Sequence, residues 1–193
     1  MYSLYKKDIK KIDLSPVFNL LPVKANKYLH KDREHYKLLH YISNWFEGET
    51  LLDIGTFLGA SALSLALNKK NTVYTIDYKQ KFKAKKFHPY PVIPIAYDAT
   101  SLDENEKFQE LVSKSKFILL DITHNGKDEM KFYKALCDLK WTGVLLLDDI
   151  YLKRLGNMKK FWESIEETKY DLTDVGHWSG SGLVDFSNQI KII

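Results

Sequence analysis

Cysteine occurs once in the 193 residues, at Cys137, which excludes an internal disulfide and any thiol pair for a metal. It falls in a stretch with helical amphipathic spacing, where a lone thiol is expected to be a buried structural group and not a nucleophile. Arginine stands only at Arg33 and Arg154, and every other basic residue is lysine. Readout of phosphates and bases leans on the guanidinium fork, so this scarcity argues against dedicated nucleic-acid recognition. The net charge of +4 is modest for the length. No apolar run approaches the ~20 residues that span a bilayer, and the opening stretch MYSLYKKDIKKIDLSP lacks the apolar core of a secretion signal. No membrane partner is expected, and a cytoplasmic location is. Neither a repeat nor a low-complexity tract nor a linker divides the chain, so residues 1–193 are expected to form one domain.

What is present is a regular alternation. Residues 1–32 read as irregular and mixed, with Pro16 and Pro22 interrupting any long helix. The stretch EHYKLLHYISNWF then sets Leu38, Ile42, Trp45 and Phe46 on one helical face. Strand patterns follow at 51–55, 72–78, 91–97, 117–122 and 143–149, with helical patterns at about 59–69, 103–114, 127–139 and 151–168. The runs at 117–120 and 144–147 are continuously apolar, as strands covered on both faces should be. Two last strands, about 170–177 and 182–187, have no helix between them and read as a hairpin. The pattern predicts an α/β fold: a doubly wound, Rossmann-like seven-stranded sheet, mostly parallel, with an antiparallel C-terminal hairpin. The lysine run KQKFKAKKFHPYP (Lys79, Lys81, Lys83, Lys85, Lys86) reads as a solvated face in preference to an anion-binding patch.

The acids give this fold a direction. In open α/β sheets, ligands bind beyond the carboxyl ends of the strands. Asp53, Asp77, Asp98, Asp121 and the pair Asp148–Asp149 each lie at or near the end of one of five consecutive strand patterns. In LLDIGTFLGASA, Gly55 and Gly59 mark the turn from the first strand to the first crossover helix. Glycine there permits close approach of a ligand to the backbone, or it serves only a tight turn. The D-x-G-x-x-x-G spacing does not match the G-x-G-x-x-G fingerprint of nicotinamide sites. Asp77 follows Gly55 by 22 residues, near the offset at which an acid meets a ribose diol.

With LLDIGTFLGASA, YTIDY, YDAT, LLDITH and GVLLLDD on the page, the sequence resembles the class I S-adenosylmethionine (SAM)-dependent methyltransferases over about residues 33–187. Within the class it is most similar to the metal-dependent macrocin and mycinamicin sugar O-methyltransferases, and more distantly to catechol-type enzymes. The resemblance implies that Gly55, Thr56, Phe57 and Gly59 wrap the methionine part of SAM. Asp53 would help hold its amino group and Ser61 its carboxylate. Asp77 would bind the ribose hydroxyls, and Asp98 with the Ala99 backbone would read the adenine. Asp98 lies slightly too far upstream to cap a helix beginning near 103.

Asp121 would adjoin the cofactor and, with Asp148 and Asp149, hold a divalent metal. Three converging carboxylates repel unless a cation sits among them or some are protonated, and an all-oxygen set suits Mg²⁺. His124, three residues after Asp121, would be the catalytic base, its ordinary pKa of ~6.5 suiting proton transfer. Thr123 stands where relatives often carry an acid, and Asp149 where catechol-type enzymes have asparagine. The expected activity is O-methylation of a small sugar-like or phenolic hydroxyl compound. The alternatives are an RNA methyltransferase, weakened by the lack of an Asn/Asp-Pro-Pro-aromatic motif, and a non-catalytic SAM-binding scaffold. An oligomer is possible. His177 and Trp178 in GHWSGSG read either as acceptor-pocket lining, with the glycines giving room, or as packing. The N-terminal segment, with Tyr2, Tyr5, Tyr28 and His30, reads as a conjectural lid.

Overall fold

A computed structural model of the chain describes residues 1–22, 35–81, 87–152 and 157–193. The first half runs β1 (Tyr2–Leu4), α1 (Lys6–Ile9), α2 (Ser15–Phe18), α3 (Tyr36–Ser43), β2 (Thr50–Ile54), α4 (Ala60–Ala66), β3 (Thr72–Asp77) and β4 (Val92–Ala96). A 3-10 segment (Ala99–Glu104) leads into α5 (Glu106–Lys114), β5 (Ser115–Leu120), α6 (Lys127–Asp138) and β6 (Val144–Asp148). The chain continues with α7 (Met158–Ser164), β7 (Lys169–Asp171), β8 (Ser181–Asp185) and β9 (Ile190–Ile192).

Seven strands form one sheet in the order β4-β3-β2-β5-β6-β8-β7. The pairs from β4 to β6 are parallel, and β8 is antiparallel to both β6 and β7. Alternate side chains of each strand serve opposite layers. Leu51, Val73, Leu119 and Leu146 pack with Leu38 and Ile42 of α3 and Leu63 of α4. Leu52, Ile76, Leu120 and Leu147 face Phe108 of α5, Phe132 and Leu136 of α6, and Trp162 of α7. Pro94 is accommodated because β4 lies at the sheet edge, where a missing N–H disrupts no second ladder. Strand order reverses between β2 and β5, so the crevice beyond their C-terminal ends is the switch point at which such folds bind ligands. No helix among the described residues is long and apolar enough to cross a membrane.

Several expectations change. Residues 1–22 are not irregular: β1 pairs in parallel with β9, and Leu4, Ile9, Leu14, Val17 and Leu21 are buried in the α3–α4 layer. Tyr2 stacks on Trp45; Tyr28 and His30 lie outside the described residues. Cys137 is exposed on α6, not buried. Burial of its thiol, partial as it is, and then the Glu167 charge raise its pKa, so the thiol stays protonated and unreactive. The strand expected at 170–177 is only Lys169–Asp171, because Asp171 turns back to accept from the Thr173 N–H (2.9 Å). The helix expected over 151–168 is seen as Met158–Ser164, and residues 153–156 of that span lie outside the described residues. Of the lysine run, Lys79 and Lys81 are exposed, while Lys83, Lys85 and Lys86 are outside the described residues.

Candidate cofactor and metal site

A cavity of about 580 Å³ opens beyond the C-terminal ends of β2, β3, β4 and β5, within the range of small-molecule sites. Gly55, Phe57, Asp77, Asp98, Ala99, Asp121 and His124 line it, with Ile54, Ile76, Tyr78, Tyr97 and Ile122 as its apolar and aromatic walls. Seven of the expected site residues therefore share one space.

Gly55 (φ +107) is required by the fold itself. A Cβ there would sit 1.7 Å from the Asp121 carbonyl oxygen. The tight-turn reading of this glycine therefore holds, and the close approach is made by the neighbouring strand's backbone. Phe57 takes a left-handed conformation (φ 46), and its N–H donates to Asp77 Oδ2 at 3.0 Å. Asp77 Oδ1 accepts from the Lys79 N–H at 3.1 Å. The loop after β2 is thus tied to the acid that ends β3. Asp98 does cap a helix, contrary to expectation. The helical turn starts at Ala99, not near 103, and Asp98 Oδ1 accepts from the Thr100 N–H (3.0 Å) and Oγ1 (2.7 Å).

Asp53, Thr56, Gly59 and Ser61 lie behind the cavity wall. Gly59 (φ 85) precedes α4, and Thr56 Oγ1 meets Thr75 Oγ1 at 2.6 Å. Thr75 Oγ1 contacts Asp53 Oδ2 at 2.5 Å. Burial pushes the Asp53 carboxyl up to about 6, against the pull of the Thr75 and Ser61 hydroxyls. Asp53 Oδ1 has no hydrogen-bond partner among the described residues. A buried acceptor without a donor suits the ammonium end of an amino-acid ligand.

Beyond Asp121 the cavity meets a cluster of acids and histidines. Asp121 Oδ1 lies 2.7 Å from His124 Nε2, and Asp149 Oδ2 lies 3.5 Å from the same nitrogen. Burial opposes charge on His124, but the Asp121 hydrogen bond and the Asp121, Asp149 and Asp148 charges outweigh it and raise its pKa to about 9. Burial and then Asp148 raise the Asp121 pKa. Asp148 Oδ1 contacts His35 Nδ1 at 3.0 Å and His177 Nδ1 at 3.1 Å. Burial would raise the Asp148 pKa, but the His35 charge and the two imidazole contacts override it and hold the carboxyl well below its ordinary range. Asp149 (φ 59) contacts the Ser179 hydroxyl and, at 3.0 Å, His177 Nδ1. No lysine or arginine among the described residues pairs with Asp121, Asp148 or Asp149. Their partners are imidazoles and a hydroxyl, and an imidazolium, unlike lysine or arginine, readily gives up its charge when a cation takes its place.

Two residues of this region, Glu129 and His35, were not expected, and a third, His177, has a different role. Glu129, buried at the start of α6, gathers the N–H groups of Thr123 (3.1 Å), His124 (2.6 Å) and Gly126 (2.7 Å) and so sets the His124 loop. The sequence signal for it is an acid five residues after the histidine, in the first turn of a helix. His177 belongs to the acid cluster and not to the cavity lining, and Trp178 is 55% exposed. The nearby glycines do not open an acceptor space: a Cβ at Gly180 or Gly182 would strike Ile150, Tyr151 or Trp162. His35 carries no local signal, since it lies 113 residues from its partner Asp148.

No protein-family model matches the sequence, and no curated protein matches it either. Solved structures do match in fold. The O-methyltransferase from Bacillus cereus, in complex with SAH, aligns with a TM-score of 0.62 at 18% identity over 93% of this chain and 94% of its own. TomG from Streptomyces achromogenes, an O-methyltransferase involved in tomaymycin synthesis and bound to SAM, gives 0.57 at 15% identity over 94% and 98%. MycE, a methyltransferase of the mycinamycin pathway in complex with Mg, SAH and mycinamycin VI, gives 0.53 at 10% identity. That match covers 80% of this chain and 54% of MycE. The chain has the Rossmann-like fold of the class I SAM-dependent O-methyltransferases.

Proposed function

We propose that the protein is a SAM-dependent O-methyltransferase that methylates a hydroxyl of a small sugar-like or phenolic molecule with the help of a divalent metal. One observation carries the reading: Asp77 and Asp98, the acids suited to a nucleoside, line the same cavity as Asp121 and His124, which belong to the acid–histidine cluster. MycE, a structure of similar fold, is in complex with Mg, which supports a divalent metal here. Asp121, Asp148 and Asp149 would hold it, with Mg²⁺ the expected ion.

When bound, SAM supplies an electrophilic methyl on a good sulfonium leaving group, and the metal supplies a Lewis acid that acidifies a hydroxyl. The protein's own work is alignment. Asp77 accepts from the ribose diol, and Asp98 with the Ala99 backbone meets the adenine. Phe57, Tyr78 and Ile122 give the cavity its apolar and aromatic wall. His124 Nε2 takes the acceptor proton, once a cation offsets the carboxylate charge that otherwise keeps the imidazole protonated.

Calorimetry with SAH tests the cofactor half of this reading. The wild type should bind, and Asp77→Ala should lose affinity severely, since two charge-assisted bonds worth about 1.5–3 kcal/mol each are removed. Unchanged affinity in a folded Asp77→Ala protein would overturn the cofactor assignment. Transfer of a labelled methyl group to a panel of sugars and phenols, with Mg²⁺ and then with chelator, separates an enzyme from a SAM-binding scaffold.

A further inference from the structure

We infer that His35, His177 and Asp148 form a binding site for a transition-metal dication, Zn²⁺ in the first instance, adjoining the Asp121–His124 end of the cavity. His35 Nδ1 and His177 Nδ1 both point at one oxygen, Asp148 Oδ1, from 3.0 and 3.1 Å. The three ligand atoms lie within 4.8 Å of one another. Ligands held about 2.0–2.1 Å from a metal in tetrahedral or octahedral geometry stand about 2.9–3.4 Å apart. The two nitrogen–oxygen separations fall inside that range without any backbone movement. The side chains of His35, Asp148 and His177 are 4%, 5% and 14% exposed, so an ion here would be shielded from bulk water. The two rings stand nearly perpendicular, at 88° with centroids 5.8 Å apart, so the nitrogens converge instead of stacking. Asp149 Oδ1, 3.0 Å from His177 Nδ1, is within reach as a fourth oxygen.

The donor set selects the ion. Two imidazoles and a carboxylate suit Zn²⁺, Fe²⁺, Co²⁺ or Ni²⁺, whereas Mg²⁺ prefers oxygen and retains its waters. The ligands come from the start of α3, the end of β6 and the loop before β8. A bound ion therefore ties the start of α3 to the adjoining ends of β6 and β8, which their own ladder already joins to each other. The inference shares Asp148 with the proposed catalytic metal but stands apart from methyl transfer, because binding is read without turnover.

Untagged, chelator-treated protein is titrated with Co²⁺ and followed by visible absorption and by paramagnetically shifted proton NMR. One equivalent should bind, with bands typical of nitrogen–oxygen ligation and two shifted imidazole N–H signals, one from each ring. Stoichiometric Zn²⁺ should displace it, and millimolar Mg²⁺ should not. His35→Gln and His177→Gln should each remove one N–H signal and weaken Co²⁺ binding by roughly 100-fold or more, beyond what loss of an outer partner causes. His124→Ala should retain both signals. SAH calorimetry on the same samples reports separately on the cofactor site and on folding. Absence of Co²⁺ and Zn²⁺ binding in the wild type would overturn the inference, and that result requires no variant to fold. Loss of the signals in His124→Ala, with both retained in His177→Gln, would overturn it as well by placing the ion on the other cluster.

Discussion

At the scale of single residues, two groups with raised pKa values each lower stability as pH rises, over different windows. The Asp53 carboxyl is raised to about 6 by burial, from an unfolded value near 3.8. The folded state therefore holds this proton more tightly, and stability falls as pH rises from about 3.8 to 6 and stays lower above that. Asp53→Asn removes the penalty while an amide oxygen still accepts from Thr75. Relative to wild type, the variant should gain up to about 3 kcal/mol at pH 7 and lose that advantage near pH 4, as urea melts at the two pH values would show. His124, raised to about 9 in the metal-free protein, acts in the same direction over a higher pH window. Its contribution is complete below about 6.5 and disappears as pH rises through 9. Its imidazole resonances should titrate near 9 without metal and at a lower pH once Mg²⁺ saturates the carboxylates. No change on adding Mg²⁺ would place the ion away from Asp121 and Asp149.

At the scale of elements, α6 does more than cover the sheet. Its first turn supplies Glu129, whose carboxylate satisfies three N–H groups of the loop that bears His124. Glu129→Ala would leave the buried Gly126 N–H and the part-buried Thr123 and His124 N–H groups without their acceptor, at about 1–3 kcal/mol for the buried donor and less for the others. The expected result is a loss of roughly 2–5 kcal/mol in stability, with SAH affinity nearly intact because Asp77 and Asp98 sit on other strands. A variant as stable as wild type would mean the loop finds other acceptors. Such partnerships explain which parts could be read from sequence. The strands over 117–120 and 144–147 were legible because apolar continuity is a local signal, and the acids at strand ends followed from their position in the repeat. The capping role of Asp98 was not legible because a 3-10 turn has little periodicity of its own. His35 was invisible because proximity to Asp148 is created only when the sheet assembles.

For the whole molecule, the unexpected element is the small parallel ribbon of β1 and β9. It unites the first residues with the last and carries Leu4 into the α3–α4 core with no exposure. Leu4→Ala should cost about 2–5 kcal/mol, the usual range for a buried leucine, measurable by denaturant titration. A smaller loss would show the ribbon to be an appendage. Its strands are three residues each, too short to announce themselves by alternation, and only packing stabilises them.

The contact between Gly55 and the Asp121 carbonyl sets a tolerance for the whole site. Gly55 N–H bonds to Ile76 O, and Asp121 N–H to Ile54 O, each at 2.8 Å. On the proposed reading, donor loop and acceptor cluster are thus spaced by abutting backbone, with no rotamer between them to slip. Substitutions at Phe57, Tyr78 or Ile122 can then reshape the cavity for a different acceptor while this spacing works like a machinist's gauge block, unchanged by what is fitted around it.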